Sequence, residues 1–255
     1  MNRIQLWADS TERSNRSGGA CDSADSVFSL SPEVPHQFFA PLHYEPKYAY
    51  PLLVWLHSAG GHERELLRVL PKISTRNYVG VGPRGTRTAA GGRGFDWDDR
   101  EVQLARVEHQ VFESVEAAER RFCVNRERVF LAGFGSGGVT ALRLGLRYPQ
   151  QFAGVISLGG PFPLGESPLR ELNAIRTLPL WIAQGRDSTV YPLERTCEEL
   201  RLFHAAGMSV TVRQYPCGDE LDSLMLSDLN HWIMERITGM AGAATPGKVF
   251  EIGGN

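Results

Sequence analysis

The run Val129-Phe130-Leu131-Ala132-Gly133-Phe134-Gly135-Ser136-Gly137-Gly138 has the spacing that nucleophilic catalysis uses. A strand that enters Gly-x-Nuc-x-Gly and continues into a helix makes a nucleophile elbow. Its small flanking residues permit a turn sharp enough to push the central side chain out above a sheet. Here the frame reads Gly133, Phe134, Gly135, Ser136, Gly137, and its centre is Gly135. Glycine has no atom with which to attack an acyl carbon. Ser136 is the neighbouring hydroxyl, and a one-residue slide of the frame would make it the nucleophile. That slide moves Phe134 to a position where the turn needs a small residue. Otherwise Ser136 serves as a helix N-cap or first-turn hydroxyl.

An elbow needs a strand before it and a helix after it, and the chain supplies both repeatedly. Pro51-Leu52-Leu53-Val54-Trp55-Leu56 is an unbroken apolar run of strand length, as a parallel strand buried on both faces requires. Strands are also expected at 78–81, 129–132, 154–158, 180–183 and 209–215. Helices are expected at 63–76, 98–122, 136–148, 192–206 and 220–238. In the second of these, Leu104, Val107, Val111, Val115, Ala118 and Phe122 recur every three or four residues and form one apolar stripe. Such alternation predicts an α/β fold with a mostly parallel sheet covered by helices on both faces. A single domain is expected over 27–238. Residues 1–26, rich in Ser, Asp, Arg and Gly, bury too little apolar surface to offset their ordering entropy and read as a flexible leader. Residues 239–255 read as a flexible tail, within which 249–252 could dock as a short strand.

With the elbow and its elements in view, the chain resembles the phospholipase/carboxylesterase branch of the α/β-hydrolases, of the acyl-protein-thioesterase-like kind, from about residue 35 to 238. The family's elbow reads like A-G-F-S-Q-G-G. Leu56-His57-Ser58-Ala59-Gly60-Gly61 is similar to its H-G-x-G-G oxyanion loop, with Ser58 replacing a glycine. Tyr148-Pro149 with Phe152-Ala153-Gly154-Val155 is similar to the stretch after the elbow helix. The resemblance implies a catalytic acid in a G-x-x-D-x-V-x-P turn. Here that turn is Gly185-Arg186-Asp187-Ser188-Thr189-Val190-Tyr191-Pro192, so the acid position falls on Ser188, with Asp187 one place early. It implies a histidine in Y-P-x-G-H, and the segment Tyr215-Pro216-Cys217-Gly218-Asp219 puts Asp219 there. All three positions implied for a triad, Gly135, Ser188 and Asp219, are thus substituted. Losing the nucleophile alone costs about six orders of magnitude in a serine protease. An aspartate cannot shuttle a proton near neutral pH as imidazole does.

Other candidates have plainer uses. Cys217 lies two residues before Asp219 but has no expected base, which favours a packed thiol over a nucleophile. Phe95-Asp96-Trp97-Asp98-Asp99, after Gly91-Gly92-Arg93-Gly94, is expected to rim the pocket. Its carboxylates with His57 or His62 match no metal-ligand spacing, and neither a metal nor a cofactor is expected. Cysteines at 21, 123, 197 and 217 show no metal or disulfide framework. The net charge of −2 supplies no field that would recruit nucleic acid. The local cluster Arg120, Arg121, Arg126 and Arg128 reads as a solvated helix end. No segment has signal-peptide or membrane-spanning character, so a cytoplasmic location is expected.

Three functions follow. The first is a catalytically inactive hydrolase that binds an acyl or anionic small molecule through His57, Ser58, Ala59 and Ser136. The second is an active carboxylic-ester or thioester hydrolase using Ser136, with Asp187 as a displaced acid. The third is a structural subunit that meets a protein partner or forms a homodimer.

Overall fold

Alternate residues of the strand Tyr50–Leu56 (β2) face two different cores. Leu52, Val54 and Leu56 pack into one, and Leu53 and Trp55 into the other, all at most 1% exposed. The continuous apolar run is therefore the mark of a strand with helices on both sides. The computed structural model describes residues 34–163, 172–239 and 249–252, and the leader expected over 1–26 lies outside them.

The other strands are β1 (His36–Phe39), β3 (Val79–Pro83), β4 (Arg87–Thr88), β5 (Phe95–Asp96), β6 (Val124–Phe134), β7 (Gly154–Leu158), β8 (Leu180–Gly185), β9 (Val210–Tyr215) and β10 (Val249–Ile252). Eight of them form one sheet in the order β1-β3-β2-β6-β7-β8-β9-β10, and β4 with β5 makes a separate two-stranded hairpin. From β3 through β9 every pairing is parallel, while β1 and β10 cap the edges antiparallel. Within the expected tail, 249–252 dock as the short strand that the sequence left open, with Val249 opposite Arg213 through Ile252 opposite Val210. Strand β1 carried no apolar run strong enough to be read in advance.

Helices α2 (Glu101–Arg121), α3 (Ser136–Arg147), α4 (Leu172–Thr177) and α5 (Leu193–Ala206) follow strands and pack with the core that contains Leu52. The stripe Leu104, Val107, Val111 and Ala118 is buried there, with Val115 and Phe122 at its margin. Helices α1 (Leu66–Ile73) and α6 (Ser223–Thr238) close the opposite face through Leu66, Leu70, Met225, Leu229 and Trp232. Helix α1 is shorter than the expected 63–76. Glu63–Glu65 form a 3₁₀ turn, and Ile73 is the last helical residue, two past Pro71, whose ring removes a backbone donor. Asp222 caps α6 by accepting from the Leu224 N–H at 2.7 Å.

The basic cluster at the end of α2 is solvated and paired. Arg120 meets Glu113 at 2.9 Å, Arg126 meets Glu119 at 2.7 Å, and Arg121 lies over the rings of Phe38 and Phe122. Among the described residues no helix is long and apolar enough to cross a membrane.

Candidate functional site

Parallel strands end together, and the loops that leave those ends build the site. At the end of β6 the backbone turns through Gly135 with φ 55° and ψ −118° and enters α3 directly. A side-chain-bearing residue is strained in this conformation. The flanking glycines are sterically required. A Cβ on Gly133 would lie 2.4 Å from the Gly137 backbone, and one on Gly137 would lie 2.1 Å from the Leu56 carbonyl oxygen. A Cβ on Gly135 would meet nothing within 4 Å. The elbow is thus fully formed around a centre that projects into open space. In a frame slid by one residue to Ser136, Phe134 would take the position of Gly133, where even a Cβ lies 2.4 Å from backbone. The Ser136 hydroxyl oxygen is buried and has no hydrogen-bond partner among the described residues.

The loop 57–61 after β2 lies against the elbow, and His57 is built into it. Its Nε2 accepts the Gly85 N–H at 2.8 Å, so the proton sits on Nδ1 and is donated to the Ser58 carbonyl at 2.8 Å. Burial holds its pKa below the ordinary histidine value, and the ring stays neutral. The Trp97 indole N–H donates to the His57 carbonyl at 2.9 Å, and the two rings lie 5.0 Å apart. With both nitrogens engaged internally, His57 has none left for a ligand, which corrects its expected place among binding side chains.

Ser58 is turned inward as well. Its hydroxyl donates to Glu65 Oε2 at 3.1 Å and its N–H to Glu65 Oε1 at 3.4 Å, while the Trp55 indole N–H donates to Oε1 at 3.0 Å. The hydroxyl that replaces a glycine therefore pins the loop, and neither Ser58 donor is free for a ligand. The Ala59 and Ser136 N–H groups, by contrast, have no acceptor among the described residues. One lies on the loop packed against the elbow and the other at the first residue of α3.

The expected rim is the β4–β5 hairpin, fastened to the loop 57–61 by Gly60 N–H to the Phe95 carbonyl at 2.9 Å and Phe95 N–H to the Gly61 carbonyl at 2.7 Å. Its carboxylates are occupied by arginines. Asp96 pairs with Arg87 at 3.2 Å, and Asp98 with Arg100 at 2.6 Å. On the opposite side, Glu199 accepts the Phe162 N–H at 3.1 Å and the Tyr191 hydroxyl at 2.5 Å, joining the loops that follow β7 and β8.

The acid and histidine loops do come together. The Ser188 hydroxyl donates to Asp219 Oδ1, and accepts the Tyr191 N–H at 2.9 Å. Asp219 accepts three further donors: the Thr189 N–H at 3.1 Å, the Thr189 hydroxyl at 2.7 Å and the Val190 N–H at 3.2 Å. These bonds, the Ser188 bond first, hold the Asp219 carboxyl down at about 2. A group so acidic cannot take up a proton near neutral pH. Asp187, the displaced acid of the second reading, is exposed and pairs with Arg186 at 3.3 Å. The Cys217 thiol is buried, and its pKa is raised, chiefly by burial and then by neighbouring carboxylates, so it stays protonated.

Glu65 shapes this site without having been foreseen. Glu65 stands seven residues after Ser58, a separation bridged only because the 3₁₀ turn folds back under the loop.

With this geometry in hand, the residues from the hairpin through α6 can be compared with known proteins. The phospholipase/carboxylesterase family model matches residues 96–237, more than half of the chain. The chain belongs to this family. Among curated relatives it is 29% identical over 139 residues to NocK of Nocardia uniformis subsp. tsuyamanensis, described as an esterase. That match covers 51% of this chain and 39% of NocK. It is 26% identical over 124 residues to a SOBER1-like carboxylesterase of Arabidopsis thaliana, covering 48% of this chain and 47% of that one. The chain thus spans less than half the length of either curated relative. Among solved structures, the carboxylesterase from Mesorhizobium loti superposes with a TM-score of 0.65 at 20% identity, over 80% of this chain and 96% of that one. At that identity the likeness speaks for the fold: an α/β-hydrolase.

Proposed function

We propose that this member of the phospholipase/carboxylesterase family is catalytically inactive and binds an acyl-type or anionic small molecule without cleaving it. The observation that carries the reading is Gly135. It holds the strained elbow geometry, and nothing fills the space where a nucleophile's side chain would stand. The other two positions support it. A serine and an aspartate bond to each other where the resemblance implies an acid and a histidine, and Asp219 is too acidic to act as a base at neutral pH. Binding remains available because the Ala59 N–H, on the loop packed against the elbow, and the Ser136 N–H, at the start of α3, have no acceptor among the described residues. Donors of this kind, left without their nucleophile, sustain about 10³–10⁴-fold acceleration over water in a serine protease, far below enzymatic turnover.

The test is hydrolysis of a short-chain nitrophenyl ester by the folded protein, beside Ser136→Ala. Equal, background-level rates are expected. Turnover that disappears in Ser136→Ala would establish a displaced nucleophile and overturn the reading. The buried, unpartnered Ser136 hydroxyl favours the first outcome, since none of the chain's histidines bonds to it.

A further inference from the structure

The first residues of β6, the segments that lead into β7 and β8, and the last turn of α6 enclose an open groove of about 440 Å³. It lies at the opposite end of the sheet from the elbow, about 20 Å away along β6 from Arg128 to Phe134. Its floor is apolar, made by Phe130, Phe152, Leu178 and Ile237. Its rim carries three charged side chains, Glu127, Arg128 and Arg236.

Neither arginine has a carboxylate partner among the described residues. Their neighbours do: Glu119 holds Arg126 at 2.7 Å, and Glu108 holds Arg147 at 2.9 Å. Arg236 is nonetheless placed. Its guanidinium carbon lies 5.1 Å from the centroid of the Trp232 ring, so the cation rests on the indole face while its N–H groups stay open to an acceptor. The layer behind the floor is also rich in donors. The indole N–H groups of Trp181 and Trp232, in the same core cluster as Phe130, are buried and have no acceptor among the described residues.

Against these stand Glu127 and the negative end of α6, which is worth roughly half an elementary charge. That helix end is partly satisfied, since the Thr238 hydroxyl donates to the Met234 carbonyl at 2.8 Å and the Gly239 N–H to the Glu235 carbonyl at 2.9 Å. Glu127 and Arg236 are both exposed and solvent screens them alike, whereas Arg128 is half-buried and keeps more of its field. Just outside the lining, Glu235 and Arg176 carry opposite charges. The remainder is positive, about half a charge, and falls on donors rather than acceptors.

We propose that this groove is a second ligand site, for a small carboxylate with an apolar body: the carboxylate takes the N–H groups of Arg128 and Arg236, and the body covers the floor. An ionised carboxylate only accepts hydrogen bonds, so it satisfies donors that the described residues leave unmatched. An uncharged compound gains the floor without the arginines, and inorganic phosphate gains the arginines without the floor. The groove shares no residue with the elbow, so the site stands whether or not the elbow binds or cleaves anything.

The experiment titrates the isotope-labelled full chain with phenylbutyrate, its neutral isostere phenylbutanamide and inorganic phosphate, and follows backbone amide and indole resonances by NMR. Phenylbutyrate should saturate, shifting the Trp232 indole and the Ala153 and Ile237 amides while those of Ala59 and Ser136 stay in place. The neutral isostere and phosphate should each bind about tenfold more weakly. Arg128→Gln and Arg236→Gln should each weaken phenylbutyrate about fivefold and leave the isostere within about twofold. Glu127→Gln, at an exposed position, should tighten phenylbutyrate by no more than about twofold. Arg236 is exposed as well, so its variant keeps the test decisive if Arg128→Gln fails to fold. Shifts confined to the elbow amides, an isostere that binds as tightly as phenylbutyrate, or an affinity unmoved in every folded arginine variant overturns the site. So does a failure of phenylbutyrate to saturate. Phosphate binding as tightly as phenylbutyrate overturns the part given to the floor, and the ligand class with it.

Discussion

The Ser188 hydroxyl donates to the Asp219 carboxylate across two loops whose sequence separation is 31 residues. In the sequence pattern this chain resembles, a carboxylate stands on the first loop and an imidazole on the second. Here the carboxylate has changed sides and the hydroxyl faces it. The contact between the loops is kept, yet the only proton acceptor in it is a strongly acidic carboxylate that already holds four donors. The pair does structural work: it fixes the residues 188–190 between β8 and α5.

Asp219→Ala should therefore loosen that loop more than it unfolds the protein. Removing the carboxylate strips partners from two backbone N–H groups and two hydroxyls, of which only Ser188 is buried, so water can replace most of what is lost. About 1 kcal/mol of destabilisation is expected after allowance for exposure. Chemical denaturation should show this small change, while amide exchange at Thr189 and Val190 should accelerate markedly. Unchanged exchange at those two amides would refute the clamp.

Acid should weaken the fold through a defined set of carboxyls. Glu63, bonded to Arg84, is lowered from 4.5 to about 2, and Asp98, bonded to Arg100, from 3.8 to about 2, like Asp219. A group whose folded pKa is depressed stabilises the fold above its unfolded value and loses that contribution as pH falls through the folded one. Stability should then decline between pH 4.5 and about 2, and Glu63→Gln should flatten part of that decline. Urea midpoints measured across this window would check it; an identical slope in the variant would refute the assignment to Glu63.

Much of this architecture was legible because it rests on local chemistry. The apolar run at 51–56 announced a strand buried on both faces, and the stripe from Leu104 to Ala118 announced the face of α2. The elbow was legible because Gly133 and Gly137 are demanded by backbone contacts that leave no room for a methyl group. What was not legible depends on distant contacts. His57 looked like a ligand-binding group until the Gly85 N–H, 28 residues away, was seen to occupy its second nitrogen. Ser58 looked like an open hydroxyl until the 3₁₀ turn brought Glu65 beneath it. Strand β10 has pattern enough to dock, but only the exposed edge of β9 determines that it does.

The elbow glycines should respond very differently to a single methyl group. Gly137→Ala drives a Cβ into the Leu56 carbonyl and should cost upwards of about 3 kcal/mol or abolish soluble expression. Gly135→Ala meets no neighbour within 4 Å, so its cost should be confined to backbone strain at φ 55°, about 1–3 kcal/mol. Thermal unfolding of the two variants side by side decides the matter. Equal destabilisation would mean that the space above Gly135 is already filled.

That open space also makes the site repairable. Gly135→Ser alone supplies a hydroxyl but no base, since His57 is locked into its loop and Asp219 is too acidic, so little activity should appear. Adding Ser188→Asp and Asp219→His would restore a carboxylate and an imidazole on loops that already touch. In the triple variant the new aspartate can take over acceptance of the Tyr191 N–H, which Ser188 now holds at 2.9 Å, and orient the imidazole. With the Ala59 and Ser136 N–H groups left without an acceptor among the described residues, measurable hydrolysis of a short nitrophenyl ester is expected in the triple variant only. The steps are strongly non-additive, because the three groups act as one unit. Full activity in Gly135→Ser alone would show that a histidine outside the 219 position serves the elbow. A folded but inert triple variant would show that these loops no longer reach it.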